Sequence, residues 1–325
     1  MRPDQYGILY LALTSRCNLA CSYCPVPKAD ISMPRLTAER GLDVLLHPRL
    51  RELRFFGGEP LLEFELIKIL VERVQPSGHA GEHLLFRITT NGVLLDDEKL
   101  DFIEAHRNIQ LVLSIDGAEK SHAGQRKSDA FSEKNSLEWF GKIAARIAAL
   151  KRPVVANMVV CPQNVADMVE NFAFIAKHGL RRVNILPAFY VEWSEDEISE
   201  LRNGFRKTAA LIDRLWSSGF SVEIENLHVN VEKPLFSGGL LLDCDGYVYS
   251  GDIAMLFHPG ENRRRFSIGN ITDINDLSAL PEPPSACVDE ESLFSRFSAS
   301  ALASTKQVDS ELSHFVSMLR VLKSS

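Results

Sequence analysis

The sequence has no hydrophobic run that could cross a membrane. Its longest apolar stretches, such as ILYLAL at 8–13 and LVLSI at 111–115, are far shorter than the roughly 20 residues of a membrane-spanning helix. The amino terminus, MRPDQYG, passes from polar residues directly into a strand pattern, which predicts that no signal peptide is present. We therefore expect a cytoplasmic protein that has no membrane partner.

An excess of positive charge is also missing. The 325 residues carry a net charge of −7 and the pI is about 5.8, while RRR at 263–265 is only a small basic cluster. Proteins that bind nucleic acid usually present a strongly basic surface, so we expect no nucleic-acid partner. The six cysteines do not suit the disulfide framework of a small secreted domain, which leaves thiols free to bind metal.

What is present is a repeated alternation of strand and helix patterns. Six β-rich apolar runs are each followed by a helical segment, and this order predicts a parallel sheet. The runs lie at 6–13, 52–57, 84–90, 109–115, 153–161 and 182–189, and the helical segments at 37–47, 62–75, 96–106, 135–151, 164–178 and 195–217. Six such units fit either an open barrel or a doubly wound sheet, and the pattern alone does not choose between them.

The pattern changes after about residue 221. The stretch LLLDCDGYVYSGD at 240–252 predicts a β-hairpin that turns at Asp245–Gly246. A short strand is expected within 266–273 and a closing helix at 309–323. These elements predict a smaller α+β unit after the strand–helix repeats.

Three cysteines within eight residues are the clearest candidate site. In TSRCNLACSYCPVP at 14–27, Cys17, Cys21 and Cys24 follow one another at spacings of four and three. A structural zinc ion needs four closed ligands, and the fourth would have to be distant: Cys161, Cys244, Cys287 or a histidine. An iron–sulfur cluster can be held by three thiolates with one iron left open. The spacing favours such a cluster, with zinc and a chance grouping of buried cysteines as the alternatives.

The motif CNLACSYC and several others that follow it in order resemble those of the radical S-adenosylmethionine (radical SAM) enzymes. In that family a CxxxCxxC motif with an aromatic residue before its last cysteine, here Tyr23, follows the first strand. The other matching segments are FFGGEP at 55–60, TTNG at 89–92, SIDG at 114–117, HAGQR at 122–126, where Ala123 replaces the usual aspartate, and NILPAF at 184–189. The resemblance extends over residues 6 to about 220.

The resemblance implies a fold, a pair of cofactors and a reaction. The fold would be α/β, a partial (β/α)6 TIM-like barrel over residues 1–220. Cys17, Cys21 and Cys24 would hold a 4Fe–4S cluster, and S-adenosylmethionine would chelate its open iron. One-electron reduction, with a donor of the flavodoxin or ferredoxin type, would cleave S-adenosylmethionine to a 5′-deoxyadenosyl radical that abstracts hydrogen from the substrate. The chain would then be an iron-dependent oxidoreductase or modifying enzyme.

The same resemblance indicates which residues contact the cofactor: Tyr23, Gly57, Gly58, Glu59, Asn91, Ser114, Asp116 and Arg126. Their chemistry agrees, because the two glycines allow close approach of the backbone and Glu59 supplies a carboxylate for the cationic amine. The forked guanidinium of Arg126 suits a carboxylate. Ser114 and Asp116, at i and i+2 on one strand face, are expected to hydrogen-bond the ribose or the substrate.

Residues 221–325 resemble the SPASM/twitch extension in which many relatives bind further iron–sulfur clusters. Ser250 and Gly251 stand where that extension has Pro-Cys, so we predict an extension without an auxiliary cluster. The three cysteines outside the first motif are then expected to be buried structural thiols, with a second cluster on them as the alternative. Asp252 matches the aspartate that acts as a base in sulfatase-maturing relatives, which makes it the candidate catalytic acid/base.

The SPASM-like framework favours a peptide or protein substrate, as in ribosomal-peptide maturation. A small-molecule biosynthetic substrate is the alternative. A metal-binding scaffold without catalysis is a third interpretation, from a different class of protein.

Overall fold

The computed structural model of this chain describes residues 6–74, 84–127, 137–228, 238–281 and 288–324. Within these residues ten strands form one sheet and two more form a separate pair. The strands are β1 Ile8–Thr14, β2 Ala20–Cys21, β3 Glu52–Gly57, β4 Leu85–Thr90, β5 Ile109–Ser114, β6 Arg126–Lys127, β7 Val155–Val160, β8 Arg182–Pro187, β9 Glu223–Ile224, β10 Leu240–Leu242, β11 Tyr247–Ser250 and β12 Gly269–Asn270. All six predicted strands are present, with small shifts at their ends.

The six long strands of the sheet lie side by side in chain order and are all parallel. They follow one another as β1, β3, β4, β5, β7 and β8. A doubly wound sheet instead reverses its strand order, whereas sequential neighbours are the arrangement of a β/α barrel. The expected partial (β/α)6 barrel is therefore confirmed.

Helices lie between and after the strands, and most of them share one hydrophobic core with the sheet. They are α1 Arg35–Leu45, α2 Phe64–Val74, α3 Asp97–Ala105, α4 Glu119–Gln125, α5 Glu138–Ala149, α6 Met168–Lys177, α7 Glu195–Ser217, α8 Glu261–Arg264, α9 Glu290–Phe294 and α10 Ala299–Ser324. Residues 75, 135 and 136 of the predicted helices lie outside the described residues. None of the described helices is both long and apolar enough to cross a membrane.

The last helix is longer than the sequence pattern predicts. A helix was expected at 309–323, but α10 begins at Ala299. Its second half packs on α7, where the rings of Phe205 and Phe315 stack at 4.6 Å. Its first half contains Ser304 and Thr305, which are buried and accept hydrogen bonds from the loop after β8. Buried polar residues interrupt the apolar periodicity, so periodicity misses this half.

The part of the chain after residue 220 extends the barrel sheet at both ends. β9 pairs in parallel with β8 and β10 in parallel with β1, and β11 and β12 then add as antiparallel strands. The hairpin turns at Asp245–Gly246 as predicted, and Gly246 has a φ of 85°, a left-handed value that glycine adopts without strain. The division of the chain into two domains at residue 220 stays a prediction.

A buried ion-pair network joins β4 and β8 near their amino-terminal ends. Glu225 is 5% exposed and accepts hydrogen bonds from Arg87 and, at 2.6 Å, from Nε of Arg182. Burial acts to raise the pKa of Glu225, but the two guanidinium groups outweigh it and the pKa is lowered. A carboxylate with a depressed folded-state pKa stabilises the fold above its unfolded-state pKa, and this contribution is lost as the pH falls through the folded-state value.

We predict that Glu225→Gln lowers the free energy of unfolding at neutral pH by about 2 kcal/mol, because two charge-assisted hydrogen bonds lose their charged acceptor. Urea denaturation followed by circular dichroism measures the change. Glu223→Gln is the matched control: Glu223 also contacts Arg182, at 3.6 Å, but its side chain is 42% exposed, so we expect a change below about 0.5 kcal/mol.

The effect of Glu225→Gln should also depend on pH. Its difference from wild type should shrink below about pH 4, where glutamate in the unfolded chain takes up a proton. A difference that stays constant as the pH falls further, below about pH 4, would contradict the ion-pair explanation.

Candidate active site

A cavity of about 400 Å³ opens among residues at the carboxyl ends of the barrel strands, where β/α barrels carry their active sites. It is bordered by the loop after β1, the ends of β3, β4, β5 and β8, and the segment after β11. The predicted site residues that line it are Cys17, Cys21, Tyr23, Cys24, Gly57, Gly58, Glu59, Asn91, Ser114, Arg126 and Asp252. Asp116 does not line it.

The loop that carries the three cysteines is fixed to neighbouring strand ends. The Glu59 N–H donates to the Arg16 carbonyl at 2.8 Å, which joins the loop to the end of β3. The short strand β2 pairs with β6, so that Cys21 lies opposite Arg126. Because most of this loop has no regular secondary structure, these contacts determine where the thiols lie.

The thiols of Cys17, Cys21 and Cys24 are free and border one cavity. Burial raises the pKa of Cys17, and raises that of Cys21 to about 11 against the opposing charge of Arg126. These two thiols are therefore protonated at neutral pH, and metal binding must displace their protons.

The donor set fits a cubane cluster better than a single metal ion. Each thiolate of a cubane binds a different iron, so the cysteines surround a volume instead of converging on one point. Within the described residues, no three side chains of histidine, cysteine, aspartate or glutamate are grouped as ligands of one metal ion would be. Three free thiols around one cavity meet the requirement of the cluster.

Gly57 and Gly58 are required by the backbone packing beneath the site. Gly57 has a φ of 124°, and a Cβ there would collide with the carbonyl oxygen of Thr14. A Cβ on Gly58 would collide with the carbonyl oxygen of Arg16. We expected these glycines to allow a ligand to approach the backbone. The structure adds that they allow the end of β3 to approach the cysteine loop.

Glu59 is buried and joins the ends of neighbouring strands. Its carboxylate accepts hydrogen bonds from the Leu61 N–H at 3.0 Å, the Thr90 hydroxyl at 2.6 Å and the Asn91 N–H at 2.8 Å. Burial raises its pKa and these hydrogen bonds only partly offset the effect. A carboxylate has about four acceptor positions, so one position remains for a cationic group in the cavity.

Arg126 is positioned by a buried ion pair. Its Nε and Nη2 donate to the two oxygens of Asp116 at 2.8 and 2.9 Å. Asp116 also accepts from the Tyr23 hydroxyl at 2.8 Å and the Val159 N–H at 3.1 Å. Nη1 of Arg126 donates to Cys21 Sγ at 4.0 Å and has a second N–H, which remains for a ligand in the cavity.

Asp116 therefore differs from the sequence expectation. We expected it to face the cavity with Ser114, but Asp116 is fully buried, whereas Ser114 lines the cavity. The reason is that β5 ends at Ser114, before Asp116. The carboxylate oxygens of Asp116 accept hydrogen bonds from Arg126, Tyr23 and the Val159 N–H. Asp116 holds Arg126 and Tyr23 instead of contacting the cavity itself.

The histidine of HAGQR supports the same ion pair. Nδ1 of His122 accepts a hydrogen bond from the Asp116 N–H at 3.3 Å. Burial and the positive charge of Arg126 lower the pKa of His122 to about 3, so the ring is neutral and can act as this acceptor. Ala123, which replaces the aspartate of related sequences, is buried.

Asp252 reaches the cavity from the C-terminal extension. It is the first residue of the short 3-10 helix Asp252–Leu256, which directly follows β11. Because β10 pairs with β1 and β11 with β10, this segment is carried to the strand that leads into the cysteine loop.

Sequence reasoning missed much of the apolar wall of the cavity. The missed residues include Val26, Phe56, Leu186, Phe189, Tyr190, Ile253, Met255 and Leu256, together with the polar Lys28 and Asn157. Apolar residues at these positions look like ordinary core residues in a sequence. The signal that could have found Tyr190 is its position just after the sixth barrel strand, since CNLACSYC, GGEP, TTNG and SIDG also lie at strand ends.

Two of the other cysteines are buried and do not line this cavity. Cys161 follows β7, and Cys244 donates to the carboxylate of Asp243 at 3.3 Å. Asp243 in turn pairs with the buried Arg263 at 2.6 Å. Cys287 lies outside the described residues. The absence of an auxiliary cluster stays a prediction.

Comparison with known protein families identifies this arrangement. The sequence model of the Radical SAM superfamily matches residues 11–175, slightly more than half of the chain. The chain belongs to the radical SAM superfamily. The matched part runs from β1 to α6 and contains the cysteine loop, the glycines after β3 and the Asp116–Arg126 pair.

Three known proteins indicate how far the similarity extends. PqqA peptide cyclase of Gluconobacter oxydans (strain 621H) is 25% identical over 89% of this chain and 84% of the relative. GTP 3′,8-cyclase of Synechococcus sp. (strain WH7803) is 35% identical, over 35% of each chain. The structure of native anSMEcpe with bound AdoMet and Cp18Cys peptide has a TM-score of 0.70 at 19% identity and covers 98% of both chains. This structural likeness shows a shared fold.

Family membership establishes the class of the protein and its cofactors. The chain is a radical SAM enzyme that uses a 4Fe–4S cluster and S-adenosylmethionine, as the sequence motifs predicted. A zinc site and a scaffold without catalysis do not fit this class. The residues that contact each cofactor stay predictions.

We predict about four irons per chain after anaerobic reconstitution. Cys17→Ala, Cys21→Ala and Cys24→Ala should each lose nearly all of this iron, because two thiolates hold a cubane poorly. Colorimetric iron analysis and the visible absorption spectrum measure the loss. Cys161→Ala and Cys244→Ala are matched controls that should keep the iron. A wild-type content of about eight irons would contradict an extension without an auxiliary cluster.

Arg126→Lys should weaken S-adenosylmethionine binding by about 1 to 3 kcal/mol while leaving the iron content nearly unchanged. Lysine keeps the positive charge but cannot bind Asp116 through a fork and also offer a donor to the cofactor carboxylate. Isothermal titration calorimetry under anaerobic conditions measures the affinity. Arg87→Lys, a change at a partly buried arginine that does not line the cavity, is the control. Wild-type affinity in Arg126→Lys would show that the carboxylate is bound elsewhere.

Proposed function

We propose that this radical SAM enzyme modifies a peptide or protein by abstracting hydrogen from one of its residues. The observation that carries the proposal is one cavity bordered both by the three cysteines of the barrel and by Asp252 of the extension. When bound, the cluster and S-adenosylmethionine supply a 5′-deoxyadenosyl radical that can abstract hydrogen from an unactivated carbon. The residues of the chain hold these cofactors and the substrate next to one another.

The unfilled hydrogen-bonding capacity of the cavity supports a specific placement of S-adenosylmethionine. The open acceptor position of Glu59 suits the amino group of its methionyl part, and Nη1 of Arg126 suits the carboxylate. Both groups are rigid because their remaining atoms are bound within the protein. Ser114 and Asn91, which also line the cavity, are further contacts that we assign to this cofactor.

Two relatives support the peptide substrate. PqqA peptide cyclase, whose similarity extends over 89% of this chain, is by its name an enzyme that acts on a peptide. The protein anSMEcpe, which shares the fold, was solved with a peptide bound. The extension of this chain contributes the apolar residues Ile253, Met255 and Leu256 to the cavity. Such a surface suits the side chain of a peptide residue beside the cofactor site.

A small-molecule substrate is the second candidate. It is favoured by the similarity to GTP 3′,8-cyclases, which act on a nucleotide according to their name and match 35% to 55% of this chain in three relatives. The similarity to PqqA peptide cyclase extends over 89% of this chain, so the peptide substrate is the better supported of the two.

Transfer of deuterium from substrate to 5′-deoxyadenosine distinguishes the two candidates. The gene for this chain is deleted from its host organism, and the deletion strain is grown in deuterated medium. The cell extract is then divided by size into a peptide fraction and a small-molecule fraction. Each fraction is incubated with reconstituted enzyme, S-adenosylmethionine and dithionite, and 5′-deoxyadenosine is analysed by mass spectrometry. Deuterium from the peptide fraction that disappears after protease treatment supports the proposal. Deuterium from the small-molecule fraction alone contradicts it.

Asp252 is the proposed acid/base group at the substrate. Once hydrogen has been abstracted, its carboxylate can take a proton from the substrate. The electron that remains must pass to a one-electron acceptor, such as an oxidised flavodoxin or ferredoxin. Asp252 suits this role because it lines the cavity from the extension, whereas the predicted contacts of the cofactor belong to the barrel.

We predict that Asp252→Asn separates hydrogen abstraction from product formation. A base acts after abstraction, so the variant should still transfer deuterium from the labelled fraction to 5′-deoxyadenosine. The modified substrate, followed by liquid chromatography and mass spectrometry, should form about 100-fold more slowly. A parallel loss of cofactor cleavage, product and thermal stability would indicate a structural role instead, and product at the wild-type rate would exclude both roles.

A further inference from the structure

The residue that follows the sixth barrel strand has an unusual backbone conformation. Tyr190 has a φ of 63° and is the only described residue other than glycine with a positive φ. A bulky side chain in this region is disfavoured, and such conformations persist only where the surrounding structure enforces them. They concentrate at functional sites, so Tyr190 is a candidate for one.

The C-terminal helix enforces this conformation. The Tyr190 N–H donates to the hydroxyl of Thr305 in α10 at 2.7 Å, and the Tyr190 ring stacks on Phe297 at 4.7 Å. Three residues further on, the Trp193 N–H donates to Ser304, also in α10, at 3.1 Å. The loop after β8 is therefore held from outside the barrel by α10 and the segment before it.

Tyr190 lines the cavity, and its hydroxyl is unpaired among the described residues. It is buried, and it has no hydrogen-bond partner among the described residues, although buried tyrosine hydroxyls usually find one. Tyr190 lines the cavity together with Asp252. Burial raises the pKa of Tyr190, and the negative charge of Asp252 raises it further. The hydroxyl thus keeps its proton and is a hydrogen-bond donor.

We propose that Tyr190 contacts the substrate, and that its hydroxyl donates a hydrogen bond to a carbonyl oxygen of the peptide residue that is modified. This inference rests on the peptide substrate proposed above. Peptide carbonyls are the acceptors that every peptide presents, and one beside Asp252 would satisfy the buried hydroxyl. Thr305 is the positioning residue, because it binds the backbone N–H of Tyr190 and so holds this residue at the cavity.

The test compares Tyr190→Phe with Tyr249→Phe in the reconstituted enzyme, using the deuterated peptide fraction as the probe. Tyr249 is the matched control, because its hydroxyl is also buried and without a partner among the described residues but does not line the cavity. Tyr190→Phe should lower deuterium transfer to 5′-deoxyadenosine about tenfold, the effect of losing one hydrogen bond to the substrate. Formation of unlabelled 5′-deoxyadenosine without the fraction, iron content and thermal stability should stay unchanged. Tyr249→Phe should change none of these quantities.

Two results would overturn the proposal. Wild-type deuterium transfer by Tyr190→Phe would mean that the hydroxyl does not bind the substrate, and a parallel loss of unlabelled 5′-deoxyadenosine and stability would mean that the residue is structural. If deuterium comes only from the small-molecule fraction, the peptide substrate is refuted, and the same variants tested on that fraction still decide whether Tyr190 contacts substrate.

Thr305 provides a second, independent comparison. Thr305→Ser keeps the hydroxyl that accepts from the Tyr190 N–H and should keep deuterium transfer. Thr305→Val removes it and should reduce transfer in the same direction as Tyr190→Phe, with the iron content unchanged. Equal transfer by the two Thr305 variants would contradict the positioning role.

Discussion

One buried glutamate joins the parts of the candidate active site. The backbone N–H of Glu59 donates to the Arg16 carbonyl in the cysteine loop, and its carboxylate accepts from Thr90 and Asn91 at the end of β4. Segments that lie far apart in the chain thus meet at one residue. The cysteine loop has little regular structure, and the contact with Glu59 acts together with the pairing of β2 and β6 to fix the three thiols. The close packing of Gly57 and Gly58 against the same loop also holds the loop in place.

The charged groups of the site follow a common pattern. Burying a charge is costly unless it is paired and hydrogen-bonded, and both Glu59 and Arg126 meet this requirement on the protein side. Each keeps unfilled hydrogen-bonding capacity, and Tyr190, which lines the same cavity, has a hydroxyl that is unpaired among the described residues. Unfilled capacity on otherwise satisfied, rigid groups indicates where ligands bind, because such groups need little reorganisation when the ligand arrives.

The C-terminal extension contributes to the cavity through its connections to the barrel. β10 continues the barrel sheet beside β1 and carries Asp252 to the cavity, while α10 packs on α7 and holds the loop after β8. Inside the extension, the ion pair of Asp243 with Arg263 is fully buried, and Arg263 also donates to the Phe257 carbonyl. The barrel supplies the proposed cofactor contacts. The proposed substrate contacts are Asp252 of the extension and Tyr190 of the loop after β8.

The sequence by itself determined the class of the protein, its cofactors and the order of its strands and helices. Periodicity and short motifs are local, and CNLACSYC, GGEP and the hairpin turn at Asp245–Gly246 are each readable within a few residues. Periodicity left an open barrel and a doubly wound sheet as alternatives, the motifs predicted the barrel, and the strand order confirmed it. Only the tertiary structure buried Asp116 behind Arg126 and placed Tyr190 in the same cavity as Asp252. These outcomes depend on contacts between distant parts of the chain, such as Tyr190 with Thr305, and no local pattern encodes which distant residue a side chain will meet.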